Sequence, residues 1–381
     1  MNNASEALFP ILSSRLHSLG RMAEAAEQID AGHDVEFRSL QVRSVLNKSV
    51  SKRLHWMAWS INPYRGCEFA CRYCYARYTH EFLAPPPDAE EPVRGVLGKA
   101  ERQPDRFPLS LRDPDAFEKR IFVKENAAWL LEQDLRRLAK QGRLDDEIAL
   151  GTATDPWQPI ERRTWLTRSL LEVMARRDGL RLGIVTKSTL IERDIDLLQE
   201  IQRRGTLAIH ITVTTPDPEL ARKLEPRAPR PDLRLRTVQR LREAGLRVGV
   251  LNSPLLPGIT DSAESIDAMA ALAKEADASF FAAMPLFLKP CSRPTYFDFV
   301  RDHFPHLQVL YAEKFRDMDF AARPYRLRLE ALVKASCARH GLRERLTDNL
   351  LTRDAGEPRK GPTSVRVDMA PANQAQGLLF A

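Results

Sequence analysis

The feature that most restricts how this chain can fold is an alternation. From about Ile121 to Met284, segments with helical periodicity take turns with short apolar runs rich in Val, Ile, Leu and Thr. Helical spacing shows in Ala128, Leu131, Leu135 and Leu138, and again in Leu166, Leu170, Val173 and Met174. Between such segments lie "EIALGTAT" (147–154), "LRLGIVTKS" (180–188), "TLAIHITVTT" (206–215), "LRVGVLNSPLLPG" (246–258) and "ASFFAAMP" (278–285), each ending in Gly, Pro, Ser or Thr. Strands separated by helices read as a parallel sheet with crossovers, because a tight hairpin cannot join parallel neighbours. With "MAWSIN" (57–62) the count reaches about six strands. Periodicity is compatible with a doubly wound open sheet or a partial barrel, and in either one ligands gather at the carboxyl ends of the strands.

Around this core, residues 1–54 read as an N-terminal extension of mixed helix and strand, and 55–290 as the α/β body. Residues 83–118 are dense in Pro and charge and read as an irregular insertion. Residues 291–353 read as a helical region, with Leu329, Leu332 and Val333 on one apolar face, and 354–381 as a flexible polar tail. No apolar run reaches the roughly 18 residues that span a bilayer. The first twenty residues lack the leading positive charge and apolar stretch of a secretory signal. The expected location is therefore the cytoplasm, where thiols stay reduced and clustered cysteines bind metal more often than they pair.

Three of the five cysteines fall within eight positions, as Cys67, Cys71 and Cys74 in "CEFACRYC". The spacing C-x3-C-x2-C cannot place all three on one helical stripe, so it suits a loop wrapped around an inorganic centre. Zinc would complete a Cys3His set with His55 or His80. A [4Fe–4S] cluster usually takes four cysteines, so three would leave one iron open to a small molecule. Arg222, Lys223, Arg227, Arg230, Arg234, Arg236, Arg240, Arg242 and Arg247 form a second concentration. It reads either as a solvated helix face or as a phosphate-contacting surface.

The triplet, as C-x3-C-x-Φ-C with Tyr73 at the aromatic position, resembles the signature of the radical S-adenosylmethionine (radical SAM) enzymes. The resemblance runs over roughly residues 55–290 and implies a partial (β/α)6 TIM-type barrel. The strings "INPYRGCEFACRYCYAR", "GTATDPWQPIE", "VTKS", "KLEPRAP" and "GVLNSPLLPGITD" are similar to the branch that contains spore photoproduct lyase and DNA repair photolyase-like proteins.

By that resemblance Cys67, Cys71 and Cys74 hold three irons of a [4Fe–4S] cluster, and the fourth iron chelates S-adenosylmethionine. Reductive cleavage would then give a 5′-deoxyadenosyl radical, with an external electron donor as partner. Tyr73 would line the adenine site. Thr152, Thr154 and Asp155 would meet the methionyl end, and Lys187 the carboxylate. Glu225 would accept ribose hydroxyls or pair with Arg227, and Asn252 and Ser253 would approach ribose or adenine. Spore photoproduct lyase returns hydrogen through a cysteine near the second barrel strand, whereas Gly151 to Asp155 contains none here. Cys291 is a candidate replacement donor or an incidental thiol, and Cys337 reads as core.

The implied substrate is a DNA or RNA. A peptide or small metabolite as substrate, or a non-catalytic iron–sulfur or zinc module that binds nucleic acid, are the competing readings. The end of the chain, Gln376 to Phe380, resembles the short peptide that docks into a bacterial sliding clamp.

Overall fold

The structure, a computed structural model, describes residues 20, 22–23, 26–32, 35–48, 58–84, 110–316 and 318–343. His55, most of the 83–118 insertion, and the 354–381 tail with Gln376–Phe380 lie outside the described residues.

Each apolar run forms a strand: β4 (Trp59–Ile61), β7 (Glu147–Leu150), β8 (Arg181–Thr186), β9 (Thr206–Thr212), β10 (Val248–Leu255) and β11 (Phe281–Pro285). They lie side by side in chain order and all run parallel. A doubly wound sheet needs a point where the order reverses. No such point exists among these six, so the architecture is the partial barrel. β3 (Leu46–Lys48) adds one antiparallel strand to the β4 edge.

The crossovers carry helices α1 (Ala127–Lys140), α2 (Leu166–Ala175), α3 (Ile195–Arg204), α4 (Pro218–Leu224), α5 (Pro231–Glu243) and α6 (Ala263–Glu275). Local chemistry sets several starts. Asp217 accepts the Glu219 N–H with Pro218 at the first helical position, and Ser262 accepts the Ser265 N–H. Alternation along the strands sorts side chains by face. Leu207, Ile209 and Ile211 of β9 join the core under the helices, together with Ile148, Leu150, Ile184, Val248 and Val250. Each fully buried Leu, Ile or Val contributes about 1.5–3 kcal/mol. The opposite row is small, with Ala149, Gly183 and Ala208 in register. There the Phe280 ring lies 2.1 Å from where a Cβ on Gly249 would stand, and packs 4.9 Å from the His210 ring. Side chains thus close the barrel floor, and its carboxyl end is left for ligands.

The described part of the N-terminal extension joins the body through a sheet. β1 (Gln28–Gly32) and β2 (Val35–Ser39) form a second sheet with β5 (Tyr64–Arg65) and β6 (Arg120–Val123), in the order β1-β2-β6-β5. The buried Asp134 carboxylate on α1 accepts the Ser44 hydroxyl and the Val45 and Leu46 N–H groups, fixing the chain before β3.

The described part of the 291–353 region, to Arg343, packs onto the barrel. After α7 (Arg293–His303), helix α8 (Arg323–His340) lies against α6 and β11, and the Arg343 carbonyl takes the Phe281 N–H. Asp261 accepts the Gly258 N–H, the Tyr325 hydroxyl and Arg328, which ties "GITD" to α8. Cys337 is buried in the same interface. Among the described residues no helix is long and apolar enough to cross a membrane.

Candidate cluster and cofactor site

β4 ends at Ile61, and the chain turns through "NPYRG" into the cysteine loop. Gly66 has φ +85°, and a Cβ there would meet the Phe117 carbonyl at 2.6 Å, so this turn requires glycine. Ala70 also lies in the left-handed region, at φ 56°, between the first two cysteines. Other parts of the chain hold the loop at both ends: the Cys67 N–H donates to the Phe117 carbonyl (3.0 Å) and the Ser292 hydroxyl to the Cys74 carbonyl (2.7 Å). Within the loop the Cys74 N–H donates to the Cys71 carbonyl (3.2 Å).

"GTATDPWQPIE" supplies most of the remaining scaffold. Thr154 donates to the Gly66 carbonyl at 2.6 Å. Gln158, fully buried, accepts the Glu68 N–H at 2.8 Å and donates to Thr154 at 3.1 Å. Glu68 in turn accepts the Ile160 N–H. Burial pushes the Glu68 carboxyl up to about 6, against the pull of Arg163 and Arg227. Asp155 accepts the Trp157 N–H, the Thr186 hydroxyl and the Lys187 N–H, so both its oxygens are engaged in joining β7 to β8. Thr152 takes the Asn62 amide at 3.2 Å, and its carbonyl takes the Tyr75 hydroxyl. The side chains of Thr152, Thr154 and Asp155 therefore shape the loop from within the chain.

Cys71 is buried here, and Cys67 and Cys74 are partly buried. Burial pushes Cys71 up to about 12, with Lys187 pulling the other way, and it raises Cys67 and Cys74 as well. Cys67 feels both Cys71 and Cys74, Cys71 feels Cys74, and none is in a disulfide. The donor set fits an iron–sulfur cluster: three reduced thiols from one loop, whose anionic forms are costly until a metal's charge offsets the desolvation. Among the described residues no three Cys, His, Asp or Glu side chains are grouped as ligands of a single ion. His80, one candidate for a Cys3His zinc set, is buried against Phe117 and Phe122 with Nε2 on the Arg120 carbonyl. Burial lowers its pKa to about 3, so it is a neutral structural residue.

Lys187 emerges at the carboxyl end of β8, with its ammonium 5.6 Å from the centre of the Tyr73 ring. It makes no ion pair among the described residues. Burial disfavours its charge, but Cys71 and Glu225 more than offset that and keep it protonated. The Tyr73 hydroxyl reaches the Glu225 carboxylate and lies 2.9 Å from the Thr214 hydroxyl.

Glu225 does not pair with Arg227. Its partner is Arg234, and both are almost completely buried. Burial would raise the Glu225 pKa, yet Arg234 and Lys187 outweigh it and hold the carboxylate ionised. The correction extends to the arginine-rich run: Arg234 belongs to the interior, Arg230 pairs with Asp232, Arg240 with Glu192 and Arg242 with Asp277. Asn252 donates to the Val213 and Thr214 carbonyls, and Ser253 accepts the Thr214 hydroxyl through its carbonyl, so this pair aligns the ends of β9 and β10.

Cys291 follows β11 in the turn Pro290–Ser292, its thiol 3.6 Å from the Ser292 hydroxyl that holds Cys74. Burial lifts this thiol to about 11. The described end of the 83–118 insertion meets the loop: its turn Ala116–Lys119 supplies the Phe117 carbonyl to Cys67, and Glu118 to Arg77 at 2.5 Å.

A parallel partial barrel with a three-cysteine loop after its first strand defines a class, and sequence comparison gives the same answer. Residues 61–270 match the model of the radical SAM superfamily. The chain belongs to that superfamily of enzymes. An uncharacterized protein of Mycobacterium tuberculosis is 29% identical over 346 residues, covering 91% of this chain and 88% of that protein. An uncharacterized protein of Methanocaldococcus jannaschii is 27% identical over 201 residues, 53% of this chain and 61% of that protein. Among solved structures, spore photoproduct lyase complexed with dinucleoside spore photoproduct superposes with a TM-score of 0.55 at 15% identity, over 80% of this chain and 79% of that one.

Proposed function

We propose that Cys67, Cys71 and Cys74 hold a [4Fe–4S] cluster beside a site for S-adenosylmethionine, and that the enzyme acts on a nucleic acid. The observation that carries this reading is the juxtaposition of three free thiols on one loop, Cys71 buried and Cys67 and Cys74 partly buried, with the ammonium of Lys187, whose charge Cys71 and Glu225 favour but which makes no ion pair among the described residues. When bound, the cluster with S-adenosylmethionine supplies reductive cleavage to a 5′-deoxyadenosyl radical.

The chain's own residues then have separable tasks. Lys187 neutralises the carboxylate of the methionyl end. Tyr73, oriented by Glu225 and Thr214, presents its ring to the adenosyl part. Asp155 holds the Lys187 backbone, and Asn252 holds the strand ends that flank the adenosyl moiety. The closed barrel floor keeps water away from the reacting end. Cys291, next to Ser292 at the rim, is the candidate hydrogen donor to a product radical.

The nucleic-acid assignment rests on the quoted strings and on a structural neighbour whose complex contains a dinucleoside lesion. The test is anaerobic reconstitution followed by deuterium transfer from labelled DNA and RNA pools into 5′-deoxyadenosine. Iron–sulfur absorption, reductant-dependent cleavage of S-adenosylmethionine, and label from one of the pools are expected. A tetrahedral zinc site in anaerobically purified protein would overturn the cluster. Label arising only from peptides or metabolites would overturn the substrate.

A further inference from the structure

Beside the carboxyl end of β4, two cations meet with no acid between them. Arg65 ends β5 and Lys124 follows β6, and the antiparallel pairing of Tyr64 with Val123 and of Arg65 with Phe122 brings them together. Both line one pocket, with Asn47 of the β3 edge, Asn62, Tyr64 and Thr79. Lys124 is buried and Arg65 partly so. Burial and the neighbouring Arg65 lower the Lys124 pKa to about 7, and no carboxylate among the described residues offsets the charge of either. A buried charge without a counter-charge costs stability, and here two stand side by side.

The acceptors around them are already engaged. The Asn62 side chain takes the Ala153 N–H and donates to Thr152, and the Tyr64 hydroxyl is bonded to Glu161. Lys124 gives one N–H to the Asn62 carbonyl (2.7 Å), and Arg65 gives one to the Thr79 carbonyl (2.9 Å). Donors are left over: the other ammonium protons of Lys124 and the rest of the Arg65 guanidinium, whose Nε has no partner among the described residues. Arg230, Arg240 and Arg242, by contrast, each have an acidic partner.

We propose that Arg65 and Lys124 form an oxyanion subsite that takes a phosphate group. The subsite stands on this geometry; assigning the phosphate to the substrate rests on the nucleic-acid reading above. A guanidinium beside an ammonium suits phosphate, which is anionic and rich in acceptors. The pocket is narrow, with room for an oxygen-sized tip and none for a ring. A phosphodiester would reach in with its non-bridging oxygens and leave sugar and base outside. Asn62 ties the pocket to the chain after β7, and Ala153 there packs against Cys67 and Cys74. A phosphate held here would fix a substrate beside the cysteine loop through a group that takes no part in the reaction.

The experiment titrates the full chain with inorganic phosphate, with a thymidine dinucleotide, and with the same dinucleotide carrying an uncharged methylphosphonate link. It is repeated with Lys124→Met, Arg65→Met and, as an exposed control on α1, Lys140→Met. Phosphate and the dinucleotide should compete for one site, and the methylphosphonate should not displace phosphate. Affinity for both anions should weaken by about tenfold in Lys124→Met and Arg65→Met and hold in the control. In phosphate-free buffer the urea midpoint of Lys124→Met should equal or exceed the parent's, since an unmatched buried charge is gone, and added phosphate should raise only the parent's. Equal phosphate affinity in all four proteins would overturn the subsite. So would a Lys124→Met midpoint that falls equally with and without phosphate, the mark of a merely structural lysine. Acetate bound as tightly as phosphate would overturn the phosphate class. Phosphate that the dinucleotide does not displace would support the subsite and overturn the substrate as its source. Failure of the chain to take up a cluster or cleave S-adenosylmethionine strikes the proposed function instead, and the phosphate affinity is still read on the same samples.

Discussion

Glu225 and Arg234 lie nine residues apart, and each leaves the other a buried, uncompensated charge if removed. Glu225→Gln should cost about 3–5 kcal/mol, read as a fall in the urea midpoint, and Arg234→Met a similar amount. The double variant should recover part of the loss, because a neutral buried pair needs no counter-charge. His80 governs acid sensitivity. Burial lowers its pKa from 6.5 to about 3, so only the unfolded chain takes up a proton between those values. Its contribution to stability is complete above about pH 6.5 and is lost on acidification, at about 1.4 kcal/mol per pH unit down to about pH 3. In His80→Gln that part of the acid slope should vanish from denaturation curves measured across this range. Gln158 bridges the Glu68 N–H and Thr154 beneath the cysteine loop. Gln158→Ala should destabilise the chain by about 1–3 kcal/mol and lower the iron bound per chain after reconstitution.

At the scale of elements, the six core strands were legible because each is a short apolar run closed by a turn-forming residue, from "EIAL" to "FAAMP". The order in which they lie was not, since it depends on crossovers that no local window contains. Nor was Arg234 separable from its neighbours: in a run of arginines, only the packing of α5 on β9 and β10 shows which one turns inward. The roles of Thr154 and Asp155 were half visible. Their place after β7 was readable, but their partners, Gly66 in the turn before the cysteines and Thr186 at the end of β8, come from elsewhere in the chain. Gln158 gave no signal beyond its place in "DPWQPIE", and nothing in the Pro-rich 83–118 segment marked Phe117 and Glu118 as partners of the cysteine loop. The small inward row of the barrel makes a prediction of its own. Gly249→Ala drives a methyl into the Phe280 ring, and should cost about 1–3 kcal/mol as overpacking, measured by chemical denaturation.

Over the whole molecule, the partial barrel has an open side, and α8 with the segment to Arg343 covers it at β11. Truncation after Ala322 should therefore expose the β11 edge together with Ile266 and Met269 of α6, and light scattering should show the shortened chain aggregating. The three anchors of the cysteine loop have a different consequence. The Phe117 carbonyl, the Thr154 hydroxyl and the Ser292 hydroxyl come from three separate parts of the chain, far apart in sequence. The loop is in that sense a keystone: it takes its shape only once the pieces around it have closed, so a fault in any of those distant segments reaches the cysteines.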